Sequence, residues 1–531
     1  MQGINANRET FERLVETAGL LAAAGLWERA AVQAQLAARF AWTDHTGYFG
    51  HQGLEEVLAR LRSSIAHPRP AAPGKPGRRR VVHVATQLYG TGGHTQSIAH
   101  WINQDPDSHH RVVVTRQGST ECPAKIVACL ADPRDLVLLD RRPGGLMKRA
   151  TALRRIVAPA DVVIVHAHPH DVVPSLALGG HGAPPAVYVN HADHVFWQGT
   201  SAAALVLCLR ASGRDLAIRR RGVDAGRCVV ANRPLELAPA GPGGPAGESQ
   251  RSAARTGWGI PETAFVVVSA AAGSKYDPVG PDSLIGLFRS FLLRRPDAHL
   301  LVAGPSPAGA WAAAAAATGG RIRAVGRLAN ISPLLSIADA YVDSFPFASL
   351  TSLLEAGAHG LPLVTFRGHP DECAVLGSDS PGLEDLLLAP STPAGFVSAL
   401  AELADSESAR TARGSATRRA IVEGHSPSAW RETAERVYTE AALAPPGPVA
   451  PGPTPWGDGP VDRLVGLVQQ ETGFAGLDAA WADITPFLGA AQRIRQWAAW
   501  RKSPHMGLAQ LVPDHGRAWV SDARRRLSQP S

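Results

Sequence analysis

Two series of short apolar runs organise this chain. The first holds VVHVAT (81–86), VVVT (112–115), LVLL (136–139), VVIV (162–165), AVYV (186–189), ALVLCL (204–209) and CVVA (228–231). The second holds FVVVSA (265–270), HLLVAG (299–304), IRAVG (322–326), AYVDS (340–344), LPLVTF (361–366) and DLLLA (385–389). Runs this short and this uniformly apolar read as strands buried on both faces. Stretches such as SLIGLFRSFLLRR and PAGFVSALAELA fill the gaps as crossover helices. Strand and helix in alternation build an open parallel sheet, so the two series predict two Rossmann-like α/β domains in tandem. Ligands bind such sheets outside the carboxyl ends of the strands, and the two domains are expected to face a cleft lined by those loops.

Three proline- and glycine-rich segments interrupt the chain, at 66–80, 235–254 and 445–460. Proline restricts the backbone and removes a donor, so all three read as linkers. The expected domains are a helical one over 1–75, a first α/β domain over 76–240, a second over 250–445 and a helical extension over 460–531. Apolar positions recur at helical spacing through residues 5–65, with Gly25 at a turn, and two TPR-like hairpins are expected there. The tail carries Trp481, Trp497, Trp500 and Trp519 and reads as helical, either packing back over the lobes or forming a separate contact surface.

With 531 residues, 45% of them hydrophobic and 19% charged, the composition is that of a folded chain too long for one core. The opening MQGINANRETFERL has neither the basic start nor the apolar stretch of a secretion signal, and no apolar run is long enough to span a bilayer. A cytoplasmic protein with no membrane span is expected. The five cysteines are scattered without a C-x-x-C, and Cys208 and Cys228 lie in apolar runs, as buried reduced thiols do. The net charge of +7 suits an enzyme that holds a diphosphate; its short basic runs lack interleaved aromatics, and nucleic acid is not an expected partner.

The first strand leads into QLYGTGGHTQ (87–96) ahead of a helix. Gly92 and Gly93 allow close backbone approach to a ligand, the helix start favours an anion, and His94 is placed to reach the cleft. The pattern is neither G-x-G-x-x-G nor a Walker sequence. VIVHAHPHD (163–171) sets His166, His168 and His170 in alternation at a strand end, and NHADHVFW (190–197) adds His191 and His194. Their spacing matches no zinc signature and carboxylates are few, so no metal is expected. His191 or His194 is instead the candidate base, with Asp193 orienting an imidazole or touching an acceptor. In the second series AGSKYDP (272–278) puts Lys275 just past a strand end, where its charge can neutralise a diphosphate and a departing anion. The segment 338–365 reads as strand, tight loop, helix and strand. Ser349, Thr351 and Ser352 stand at the helix start, where free N–H groups and hydroxyls hold phosphate oxygens. Glu355, one turn on, is placed to accept from ribose hydroxyls. Gly326 and Arg327 end a neighbouring strand and are expected to border a nucleobase.

DSFPFASLTSLLEAGAHGLPLVT resembles the donor-binding signature of GT-B glycosyltransferases, and most of all that of the protein O-GlcNAc transferase and bacterial protein N-glucosyltransferase group. Asp343, Phe345-Pro346, Thr351-Ser352, Glu355 and Gly360-Leu361-Pro362 fill the places of that signature, and SKYDP is similar to the group's lysine-x-aspartate-proline loop. The resemblance, over roughly 81–445, implies a GT-B fold and transfer of a hexose or N-acetylhexosamine from a nucleoside diphosphate sugar, UDP-sugar favoured. The expected acceptor is a hydroxyl or amine of a peptide, protein or small molecule. It further implies Lys275 on the diphosphate, Thr351 and Ser352 on phosphates, Glu355 on ribose, and no metal or cofactor beyond the donor. The TGGH turn resembles the first loop of family 4 retaining transferases, whose paired glutamates stand eight apart. Glu355 matches the second of these, but Phe347 stands in place of the first, which leaves the stereochemical outcome open. A nucleotide-sugar 2-epimerase on the same fold, a non-catalytic scaffold and a homodimer through the helical ends are also compatible with these residues.

Overall fold

The computed structural model describes residues 2–66, 77–90, 93–235, 245–445, 449–470 and 475–528. The chain divides into two compact units. Unit 1 comprises Met1–Leu209, Gly213–Pro234 and Trp430–Ser531; unit 2 comprises Arg210–Ser212 and Leu235–Ala429.

Unit 1 is built on seven strands: β1 Arg80–Ala85, β2 His109–Val114, β3 Leu136–Leu138, β4 Val162–His166, β5 Ala186–Asn190, β6 Leu205–Cys208 and β7 Cys228–Val230. They pair in parallel in the order β3-β2-β1-β4-β5-β6-β7. Unit 2 has β8 Val266–Ala270, β9 His299–Ala303, β10 Ile322–Gly326, β11 Ala340–Val342 and β12 Leu363–Val364, parallel in the order β10-β9-β8-β11-β12. In each sheet the chain works outward on one side of its first strand and then crosses to the other side. The crossing leaves a switch point between β1 and β4, and another between β8 and β11, where loops part and a ligand crevice opens.

Twelve of the thirteen apolar runs are strands. The last, 385–389, is not. Only a bridge forms, between Val364 and Leu388. The N–H groups of Leu386 and Leu387 turn back to the Leu383 carbonyl at 3.1 and 3.0 Å, and Pro390 has no N–H to extend the ladder.

Both faces of the unit 1 sheet are covered. Val82, Val84, Val163 and Val165 pack toward the N-terminal helices. Val81, Val162, Ile164 and Val187 pack with Trp101 and with Trp430, Val437 and Tyr438 from the helix Pro427–Leu443. The N-terminal region has three helices, α1 Gln2–Ala23, α2 Trp27–Thr43 and α3 Gln52–Ser63, rather than two hairpins. Gly25, at φ 71°, makes the α1–α2 turn. α3 finds its partner in the α/β unit itself: Glu55 accepts from the N–H groups of Gly199, Thr200 and Ser201, and Arg62 donates to the Ser175 and Ser201 carbonyls. No fourth helix is needed to cover it.

Part of the expected second linker is a helix, Pro245–Gly257. Proline suits a first helical position and the alanines that follow favour the helix, while Arg255 ties its end to Asp339 at 2.8 Å. The third expected linker docks: Trp456 donates to the Thr46 carbonyl at 3.0 Å and carries the Arg8 guanidinium over its ring. The C-terminal helices pack on unit 1, where Asp483 and Asp514 pair with Arg116 and Asp514 also pairs with Arg149. None of the helices is long and apolar enough to cross a membrane, among the described residues.

Candidate active site

At the unit 2 switch point, Lys275 lies in the short turn Gly273–Tyr276 just past β8, and the helix Leu350–Ala358 begins beyond β11. The loop between β11 and that helix is ordered by one carboxylate. Asp343, fully buried, accepts from the N–H groups of Ser344 at 2.7 Å and Ser349 at 2.9 Å and from the Ser378 hydroxyl. Burial pushes its carboxyl up; those bonds and the Lys275 charge oppose the rise. Phe345–Pro346 within the loop is a cis peptide. The Lys275 ammonium donates to the Ala348 carbonyl at 2.6 Å and sits 4.3 Å from the centre of the Phe347 ring, while Phe347 donates its N–H to the Lys275 carbonyl. Lysine and helix start are therefore held together.

Ser349 is the cap residue of this helix, yet its side chain does not cap it; its hydroxyl meets that of Ser352 at 3.3 Å. The same unit shows the alternative. Ser283, Thr392 and Ser406 each accept from the N–H three residues on. At Leu350–Ala358 the cap side chain makes no such bond, and a helix pairs none of its first-turn N–H groups internally. A cation beside a helix N-terminus is the wrong sign for the dipole, and the pair becomes favourable once an anion lies against both.

Of the other expected residues in this unit, Thr351 lies in the first turn and Glu355 further along the same helix. Gly326 ends β10, two strands from β8, at φ 75°, and its carbonyl accepts the Gly304 N–H at 2.8 Å.

At the unit 1 switch point the loops after β1 and β4 are lined by imidazoles. Gly93 opens the helix α4, Gly93–Gln104; Gly92 lies outside the described residues. His94 donates from Nε2 to the His166 carbonyl at 2.5 Å, and its ring stands edge-on to His191 with centroids 4.9 Å apart. His191 in turn meets His166 at 3.0 Å. Burial holds His94, His166 and His191 below the ordinary imidazole value, which keeps these rings neutral at pH 7. His168 is bracketed by Tyr89 and His94, and His170 stacks on Trp42. Asp193 lies against His194, Oδ1 to Nδ1 3.4 Å. Among the described residues no cluster of His, Cys, Asp or Glu is placed to hold a metal ion.

Two histidines of this cluster escaped the sequence reading. His83 and His110 sit inside β1 and β2 and are bonded to each other and onward to His166. The signal for His83 was a histidine within a run of valines, a position that ordinarily takes an apolar residue; His110 lies ahead of such a run.

Residues 268–406 match the family described as glycosyl transferases group 1. A search of curated protein sequences finds no match. Among solved structures, Anabaena HepE, crystallised with UDP and glucose, superimposes with a TM-score of 0.51 at 15% identity, over 68% of this chain and 99% of that one. A glycosyltransferase from Rickettsia africae gives a TM-score of 0.50 at 10% identity, over 69% and 100%. A Thermobaculum terrenum O-GlcNAc transferase gives 0.49 at 14% identity, over 81% and 85%. Two parallel five- and seven-stranded units with helices at both ends, alike in plan to HepE and the Rickettsia africae glycosyltransferase, give this chain the GT-B fold.

Proposed function

We propose that the protein transfers a sugar from a nucleoside diphosphate sugar, a UDP-sugar by preference, to a hydroxyl or amine of a peptide or small-molecule acceptor. The observation that carries this reading is the pairing of Lys275 with a helix start whose cap serine makes no side-chain cap bond, at the switch point of unit 2. That pair suits a diphosphate in the ground state and suits it better as charge builds on the leaving group. Thr351 and Ser352 add hydroxyls to the phosphate side, and Glu355 meets the ribose. The match to the group 1 family over this same segment and the fold shared with HepE, which binds UDP and glucose, support the donor class. Unit 1 supplies the proton acceptor for the incoming nucleophile, and His191 is assigned that role because its Nδ1 takes no hydrogen bond among the described residues.

Saturation-transfer NMR against a panel of UDP-, GDP- and dTDP-sugars tests the reading. One donor class is expected to bind, with affinity reduced about tenfold or more in Lys275→Ala, the loss of one charge-assisted contact. A folded protein that binds none of the panel overturns it.

A further inference from the structure

Four imidazoles cross the unit 1 sheet in a line. His110 stands on β2, His83 on β1, His166 at the end of β4 and His191 just past β5, four neighbouring strands of the sheet. Successive ring centroids are 5.2, 5.5 and 5.3 Å apart, close to the spacing of adjacent strands. Every link joins the Nε2 of one ring to the Nδ1 of the next: His191 to His166 at 3.0 Å, His166 to His83 at 3.2 Å, His83 to His110 at 3.1 Å. At the far end the His110 Nε2 meets the Asp105 carbonyl at 2.9 Å and its carboxylate at 3.4 Å. Burying polar rings in a sheet core is costly unless each nitrogen is paired, and among the described residues all are paired but one, the Nδ1 of His191.

We propose that these histidines form a directional proton relay, anchored at Asp105, that keeps the lone pair on His191 Nδ1 and carries away the proton taken there. The inference rests on His191 being the proton acceptor of the proposed transfer. A carbonyl and a carboxylate only accept, so His110 donates from Nε2 and is left with a bare Nδ1. A neutral ring has one N–H, so the constraint passes along: His83, His166 and His191 each donate from Nε2. When the acceptor's proton arrives at His191 Nδ1, a new N–H bond forms there. The His191 Nε2 proton passes to His166 Nδ1, that of His166 to His83 and that of His83 to His110. His110 then holds two protons and forms an ion pair with Asp105, while the other three rings are neutral in the opposite tautomer.

The surroundings favour this direction. His94, His168 and the Arg233 guanidinium face His191 and disfavour charge on its own ring. At the other end, burial raises the Asp105 carboxyl, but hydrogen bonds from His110 and from Tyr438, whose hydroxyl is 2.7 Å away, outweigh it and keep the group anionic. His83, His110 and His166 are positioning residues in this scheme, and they touch no substrate.

Nitrogen-15 NMR of histidine-labelled full-length protein, without sugar, reads the tautomers directly. His83, His166 and His191 are expected to be protonated at Nε2 and bare at Nδ1, with nitrogen–nitrogen couplings across each link. In His83→Phe, His166 and His191 are expected to lose the single tautomer and populate both. Protonation of His191 at Nδ1 in the resting protein, absence of the couplings, or a His191 tautomer unchanged in His83→Phe overturns the relay. If that variant does not fold, the wild-type couplings decide. Because no donor is present, failure here leaves the donor reading standing, whereas a failed donor panel leaves the tautomer order intact and removes the transfer that would supply the relay's proton.

Discussion

The two switch points share a scaffold and differ in charge. In each, a buried aspartate follows the fourth strand of the unit and ties the loops together. Asp171 accepts from the hydroxyls of Thr86 and Thr115 and from the Val173 N–H. Asp343 accepts from two N–H groups and a hydroxyl. The loops at the first switch point carry neutral imidazoles, with the Arg149 guanidinium acting on Asp171 itself; around Asp343 stand an ammonium and a helix start. The carboxylates are spent on loop geometry in both places, so the chemical character of each crevice is set by the side chains that flank it. Under the proposed function one accepts a proton, and the other holds an anion.

The comparison is broken most forcefully at its common part. Asp343→Ala leaves two N–H groups and a hydroxyl without this acceptor, a loss of roughly 3–6 kcal/mol from unit 2, and Asp171→Ala is expected to do the same to unit 1. Urea denaturation followed by tryptophan fluorescence measures both; a loss under about 1 kcal/mol in either shows that the carboxylate does not order its loop.

Acid separates the units next. His83 and His166 are wholly buried, and burial holds both well below the ordinary imidazole value. The folded chain then binds fewer protons than the unfolded one. Their contribution is complete above pH ~6.5 and declines as the pH falls below it, by about 1.4 kcal/mol per ring per pH unit until the folded value is reached. The lowered histidines of unit 2, His299, His359 and His369, are partly exposed and give a shallower dependence. Denaturation at pH 7.5 and 5.5 is expected to weaken unit 1 more; equal losses contradict the assignment.

The smallest effect distinguishes two serine-type caps. Thr392→Ala removes a working cap bond and is expected to cost about 1 kcal/mol, whereas Ser349→Ala removes none and costs a few tenths. Should Ser349→Ala destabilise as much as Thr392→Ala while leaving donor binding intact, its hydroxyl serves the helix and not a ligand.

The strands were legible because a strand buried on both faces needs apolar residues at every position, which leaves a contiguous run. DLLLA has that composition and still fails, since its pairing is cut short by Pro390 and a turn at Leu383, neither of which hydrophobicity registers. The helix at 245–257 was hidden by the prolines and glycines before it. Lys275 and Ser349 were readable because a strand end followed by a polar turn is local. The link from His110 to His83 to His166 was not, because it depends on the strand order β2-β1-β4, and pairing across a sheet leaves no trace in residue spacing. Which imidazole lies against Asp193 was left open by the sequence for the same reason: neighbouring residues in a loop need not point alike.

The helix Pro427–Leu443 lays Trp430, Val437 and Tyr438 over the same sheet face that Val81 and Val162 help to form. On the ribosome this inverts the order of completion. The seven strands of unit 1 emerge before residue 235, but that face stays uncovered until nearly two hundred more residues have been made, about the length of unit 2. Unit 2, almost continuous in the chain, has all its parts first and can fold while its predecessor waits with apolar surface exposed, the condition in which nascent chains aggregate or recruit chaperones.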